Sequence, residues 1–184
     1  ADAFKRVIYT ESHDEVANGS SRVPEEIWPG YADSWPSRKR AALGAALVLT
    51  APGIPMLFQG QEFLRDDWFD DTKPIDWSEA GRYDDILRLY RDLIRLRLNH
   101  EGTTAGLTGQ HVDVHHLNHA DRVIGFYRRL RGGPRDEVLV VANFPANFTE
   151  ASARRLVSIV ASGARCGVHA LVSVDSRLKL PHNF

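Results

Sequence analysis

Short apolar runs alternate with long polar stretches along this chain, and the period of the apolar positions changes once. Residues 7–9 (Val7, Ile8, Tyr9) make a brief β-type run, and Thr10 leads into a polar segment with Glu11, His13, Asp14 and Glu15. A second run, residues 54–58, opens after Pro52-Gly53 and ends in Gln59-Gly60-Gln61-Glu62. Pro55 lacks a ladder donor, which a strand tolerates near its start. Between the runs, Leu43, Ala46, Leu47 and Thr50 recur at helical spacing and predict a helix over residues 37–49, with that stripe facing inward. Ser34 or Asp33 is placed to cap it, Pro36 suits the first turn, and Pro52-Gly53 stops it. Gly44, Ala45 and Ala46 permit close approach to a sheet. A second helix is expected over residues 84–98, capped by Asp84, with Ile86, Leu89, Tyr90, Leu93, Ile94 and Leu96 or Arg97 on its apolar face. Strand, acidic loop, helix, strand, acidic loop is the order of an α/β chain with its chemistry at the carboxyl ends of the strands.

Near Asn99 the period falls from 3.6 to 2. Residues 111–117, 122–130 and 137–143 read as strands, separated by turn signals at 118–121 and at Gly132-Gly133-Pro134. They predict a small antiparallel β domain. On regular strands His111 and His115 share one face and His116 lies on the other. No carboxylate or cysteine pattern completes a metal site with them, so they read as surface histidines.

Two polar connections are long enough to be functional. Residues 11–33 hold Trp28 and Tyr31, with Trp35 just beyond; such aromatics either stack on a bound ring or cover the end of a sheet. Residues 62–83 carry Asp66, Asp67, Asp70 and Asp71 without metal-ligand spacing, which reads as a solvated loop.

Composition narrows the classes. The chain has 184 residues, 43% hydrophobic and 26% charged, enough to bury the core of one domain or two small ones. A net charge of −1 gives no electrostatic case for nucleic acid or an anionic membrane. Cys166 is the only cysteine, so there is neither a disulfide framework nor a cysteine-based metal site. No signal peptide or bilayer-spanning run is visible, and the cytoplasm is the expected location.

The segment ESHDEVAN followed by PGIPMLFQGQEF resembles the last two strand ends of the catalytic barrel in the α-amylase superfamily, glycoside hydrolase family 13. The wording is most similar to 1,4-α-glucan branching enzymes, and the resemblance covers residues 1–148. It implies the last part of a (β/α)₈ TIM barrel over residues 1–100, its last two strand-helix units, followed by a β domain over 101–148. A barrel needs about 200 or more residues, so the chain is expected to be a C-terminal part of a larger enzyme, or a truncated reading frame. Residues 149–184 depart from the family's aromatic, glycine-punctuated ending, as a shifted frame would produce.

By the same resemblance, Asp14 matches the carboxylate that stabilises the transition state, and His13 the histidine that donates to the same sugar. Trp28, Gln61 and Glu62 are further substrate-binding candidates, with Gln61 and Glu62 shaping or bracing the cleft floor. The nucleophile and general acid of the family lie on earlier strands, so Glu11, Glu15 and Glu62 do not fill those roles. The expected chemistry is cleavage of an α-1,4 link through a glycosyl-enzyme and transfer to a 6-hydroxyl, on a glycogen- or starch-like α-glucan. No cofactor and no metal is expected, and the partner is the missing N-terminal part of the barrel. Hydrolysis, or a non-catalytic fragment, are the readings left open.

Overall fold

In the computed structural model, which describes residues 2–17, 21–131 and 136–144, the carbonyl of Arg6 accepts from Ile54 N at 2.8 Å and that of Ile8 from Met56 N at 2.9 Å. These bonds pair β1 (Val7–Ile8) with β2 (Ile54–Pro55) in parallel, Val7 opposite Ile54 and Ile8 opposite Pro55. Pro55 fits because the ladder draws its donors from the residues on either side of it. Gly53 makes the approach possible: its φ is +128°, and a Cβ there would sit 3.0 Å from the Arg6 carbonyl.

Both strands are shorter than the expected 7–9 and 54–58, and the reason is local. Phe58 N donates to Gln61 Oε1 at 3.2 Å, and Gln61 Nε2 donates to Thr10 Oγ1. One amide side chain thus joins the two strand exits where further ladder bonds would have run.

The connection 11–33, expected as an unstructured loop, contains two short helices, α1 (His13–Ala17) and α2 (Val23–Ile27). The signal was present: Ser12 stands three residues before Glu15, and its Oγ accepts from Glu15 N at 3.3 Å. Asp14 and Glu15 lie in the first turn of α1, and Glu25 and Glu26 in that of α2, where helix N-termini favour negative charge. Likewise the expected loop 62–83 contains a 3₁₀ turn at Gln61–Phe63, whose first residue precedes it, and another at Trp77–Tyr83.

Helix α3 (Trp35–Thr50) starts at Ser34, whose Oγ accepts from Ser37 N at 3.4 Å. Its buried residues are Ser37, Ala41, Ala45, Ala46, Val48 and Leu49; of the expected stripe Leu43, Ala46, Leu47 and Thr50, Ala46 alone is among them. The row 37, 41, 45, 49 is the one made mostly of small side chains, and it admits the closest packing. Leu43, Leu47 and Thr50 are left half-buried.

Helix α4 (Asp84–Arg97) buries Ile86, Tyr90 and Leu93. Asp84 does not cap it as expected, because the 3₁₀ turn runs directly into the helix; its carboxylate pairs with Arg88 instead, at 2.6 Å. Ala41, Ala45, Ala46 and Leu49 of α3 pack with Phe63, Leu64, Tyr83, Ile86, Tyr90 and Leu93 as one core. Each large apolar side chain buried there contributes about 1.5–3 kcal/mol.

The chain divides into two units after Arg95. In the second, β3 (His111–Asn118), β4 (Val123–Arg129) and β5 (Glu137–Asn143) form an antiparallel sheet in chain order. A 3₁₀ turn, Ala105–Thr108, lies against it. Gly106 and Gly109 allow this: a Cβ would stand 2.3 Å from the Arg128 carbonyl at the first and 2.1 Å from the Arg129 carbonyl at the second. Arg128 is buried and its Nη2 donates to the carbonyls of Leu107 and Gly109, at 3.0 and 2.9 Å. Burial, with Arg97 adding to it, lowers this guanidinium to about 10.

The strand histidines depart from the expected arrangement. The pairing slips between Val114 and His116, which sets His116 opposite Gly125, on the face of β4 that carries Tyr127. His115 rests edge-on to Tyr127, ring centres 5.5 Å apart. The bulge therefore brings His116 to the face of His115, where regular alternation would have put it on the other. Helices combined with parallel and antiparallel strands make this an α/β chain. The turn expected at Gly132-Gly133-Pro134, and the tail 149–184, lie outside the described residues.

Candidate functional site

The exit of β1 turns sharply from an exposed to a buried environment and back. Tyr9 is exposed, Glu11 and Ser12 are buried, and His13 and Asp14 emerge on the first turn of α1. Their side chains are 66% and 79% exposed, and His13 Nε2 lies 3.2 Å from Asp14 Oδ1. Asp14 therefore presents its carboxylate to solvent beside an imidazole, at the carboxyl end of a strand. Such a pair can accept from, and donate to, neighbouring hydroxyls.

Beneath it sits a buried ion pair. Arg22 Nη1 reaches Glu11 Oε2 at 3.1 Å, with the two side chains 3% and 2% exposed. Glu11 Oε1 accepts from Val23 N at 2.8 Å, so a carboxylate from the end of β1 caps α2 from outside. Arg22 also donates to the carbonyls of Gln59, at 2.9 Å, and Asp67, at 3.4 Å. Its guanidinium stacks on Phe58 at 4.3 Å from the ring centre. Burial pushes the Glu11 carboxyl above its ordinary range, while the Val23 N–H and the charge of Arg22 pull it back. Nothing in the sequence pattern singled out this pair, since Glu11 and Arg22 look like two charges of a polar connection until the fold joins them.

The other candidates separate. Gln61 is buried and braces Thr10 and Phe58, so it supports the turn from within. Glu62 is half-buried, and its charge, after burial and Glu11, helps to raise the Tyr90 hydroxyl. Trp28 follows α2, 45% exposed, and packs on Tyr31 with ring centres 5.2 Å apart. A cleft of about 450 Å³ lies beside that pair, lined by Tyr31, Asp33, Asp66, Arg82 and Tyr83 among others. His13 and Asp14 do not line it.

Of the aspartates in residues 66–71, Asp67 and Asp70 are held by local partners. Asp70 accepts from Thr72 Oγ1 at 2.6 Å and Thr72 N at 3.0 Å and pairs with Lys73. Those bonds, Thr72 first, lower it to about 2. The Asp67 carboxyl is likewise lowered, by its bond from Arg65. Among the described residues no group of three or more His, Cys, Asp or Glu is placed to hold a metal ion, and no helix is long and apolar enough to cross a membrane.

No family model matches the chain. It is similar to the 1,4-alpha-glucan branching enzyme GlgB of Paramagnetospirillum magneticum, 36% identical over 91 residues that cover 46% of this chain and 11% of the relative. The enzyme of the same name from Rhodopseudomonas palustris is 30% identical over 150 residues, 76% of this chain and 19% of the relative. That of Bacillus subtilis is 28% identical over 151 residues, 75% and 21%. These similarities support a relationship to branching enzymes. The chain spans between 11% and 21% of the length of these three relatives.

Proposed function

We propose that this chain is part of an α-glucan-active, retaining enzyme of the α-amylase superfamily, glycoside hydrolase family 13, and that its reaction is 1,4-α-glucan branching. The observation that carries the reading is the exposed His13–Asp14 pair at the end of β1, in a chain similar to proteins named as branching enzymes. In this reading residues 1–100 are the C-terminal part of the catalytic TIM barrel and 101–148 the β domain that follows it. The partner is the N-terminal part of the barrel, the substrate a glycogen- or starch-like glucan, and the compartment the cytoplasm.

Retaining enzymes place a nucleophile and an acid/base carboxylate about 5 to 5.5 Å apart around an oxocarbenium-like transition state. Asp14 adds a third carboxylate. An anionic acceptor binds two vicinal hydroxyls and tightens as the ring flattens, so it favours the transition state over the bound sugar. His13 donates to a hydroxyl of the same ring. Gln61 and Glu62 support the turn beside it, and Trp28 offers a stacking face. The glycosyl-enzyme is then resolved by a sugar 6-hydroxyl. The 184-residue chain alone carries no match to the nucleophile or the acid and is expected to be inactive.

The test is to incubate the complete protein carrying this segment with amylose. Loss of iodine stain with new α-1,6 linkages by NMR is the expected result. New reducing ends without α-1,6 linkages would assign hydrolysis, and no change at all would remove the enzymatic reading.

A further inference from the structure

The buried guanidinium of Arg22 is in contact with three separate pieces of chain besides its own. It reaches Glu11 after β1, Gln59 after β2 and Asp67 in the next turn, while itself standing at the start of α2. A planar fork suits this task, because its donors leave in fixed directions; a lysine ammonium carries one point charge and cannot span the same set. A second path runs through rings. Arg22 lies over Phe58, Phe58 packs edge-on against Phe69 at 5.3 Å, and Phe69 packs edge-on against His13 at 6.4 Å.

We propose that Arg22 is a positioning residue, which fixes the His13–Asp14 turn through Glu11 and the Phe58–Phe69 stack and the 59–62 turn through the Gln59 carbonyl. Its bearing on catalysis rests on the reading of Asp14 given above. A buried ion pair is weak support for stability, since apolar side chains of similar size often hold a fold as well. What such side chains cannot do is hold two strand exits and a third loop in one geometry. A displacement of about 1 Å at a reacting centre is enough to cost about a hundredfold in rate.

The experiment uses the complete protein carrying this segment, with Arg22→Met, Arg22→Lys and two controls. Arg38→Met removes a half-buried arginine of the same unit, and Leu93→Ala weakens its core. Amide exchange is followed by mass spectrometry. Both Arg22 variants are expected to speed exchange at least tenfold in peptides covering residues 11–17 and 58–63. Amides of β3 to β5 should stay within twofold of wild type. Leu93→Ala should instead loosen α3 and α4, and Arg38→Met neither. On amylose, well below the unfolding temperature, both Arg22 variants should lose at least thirtyfold in kcat with KM within threefold. Lysine failing to rescue separates geometry from charge. Wild-type exchange at both turns in Arg22→Lys overturns the proposal, and so does turnover within threefold of wild type. If Arg22→Met does not fold, Arg22→Lys alone decides. If the wild-type protein does not act on α-glucans, the functional reading fails, and exchange at the two turns still decides whether Arg22 positions them.

Discussion

Arg38 Nη2 reaches both carboxylate oxygens of Asp85, at 3.1 and 2.9 Å, and so ties the start of α3 to the start of α4. The two side chains are 33% and 65% exposed, and solvent screens their attraction. A double-mutant cycle with Arg38→Ala and Asp85→Ala should give a coupling of about 0.2–1 kcal/mol. The coupling should shrink between low and high salt. A value of several kcal/mol, unaffected by salt, would contradict the exposed character of the pair.

The core between α3 and α4 should respond far more strongly. Leu93 is 1% exposed and packs within the cluster that holds Phe63 and Tyr90. Leu93→Ala should cost about 2–5 kcal/mol, read from denaturant unfolding.

Two glycines should behave in opposite ways. A Cβ on Gly106 would stand 2.3 Å from the Arg128 carbonyl and 2.4 Å from that of Asp136, whereas one on Gly81 would meet nothing within 4 Å. Neither contact at Gly106 involves a flexible side chain, so Gly106→Ala should destabilise by about 1–3 kcal/mol or more. Gly81→Ala should be neutral or stabilise by up to about 1 kcal/mol, because it narrows the unfolded ensemble. Thermal melts of the two variants are sufficient to check this.

Alkaline pH should unfold the first unit through its tyrosines. Burial first, and then the bond to the Asp33 carboxylate, push the Tyr83 hydroxyl from its ordinary 10.0 up to about 12. Tyr90 moves in the same direction, chiefly through burial. A group with a raised folded pKa holds its proton more tightly in the fold. Its contribution is complete below the unfolded value and is lost as pH rises through the folded one. Stability should therefore decline from about pH 10 towards about pH 12, with tyrosinate absorbance appearing late for part of the 5 tyrosines. Tyr83→Phe should flatten that decline; an unchanged profile would contradict it.

Asp14 offers the sharpest separation of stability from activity. Its side chain is 79% exposed. On the reading proposed for Asp14, Asp14→Ala in the complete protein should lower kcat on amylose by several orders of magnitude while unfolding stability changes by less than about 0.5 kcal/mol. His13→Ala should be milder in kcat. Near-normal turnover on amylose by the Asp14 variant would remove its assigned role.

The sequence alone determined the longer elements and what kind they are. Apolar spacing marked α3, α4, β4 and β5 almost to the residue, because each buries one face against a neighbour and the period of that face is written locally; β3, whose side chains are exposed, was marked by its alternation and its flanking turn signals. It also singled out His13 and Asp14, which adjoin one another in the chain and need no folding to meet. Short helices were lost in the polar connection, although Ser12 and Glu15 carry a capping signal, because five residues are too few to show a period. Which face of α3 turns inward was decided by packing: two neighbouring rows fit a helical period, and close approach favours the row with small side chains. The slip at His115 was decided by pairing, since an extra residue in β3 leaves no mark in β3 itself. The joining of Glu11 to Arg22 was decided by tertiary structure in the same way. Two buried charges stabilise a fold only when it brings them within hydrogen-bond distance. That distance, 3.1 Å across eleven positions of chain, depends on where β1, α2 and the exit of β2 come to lie.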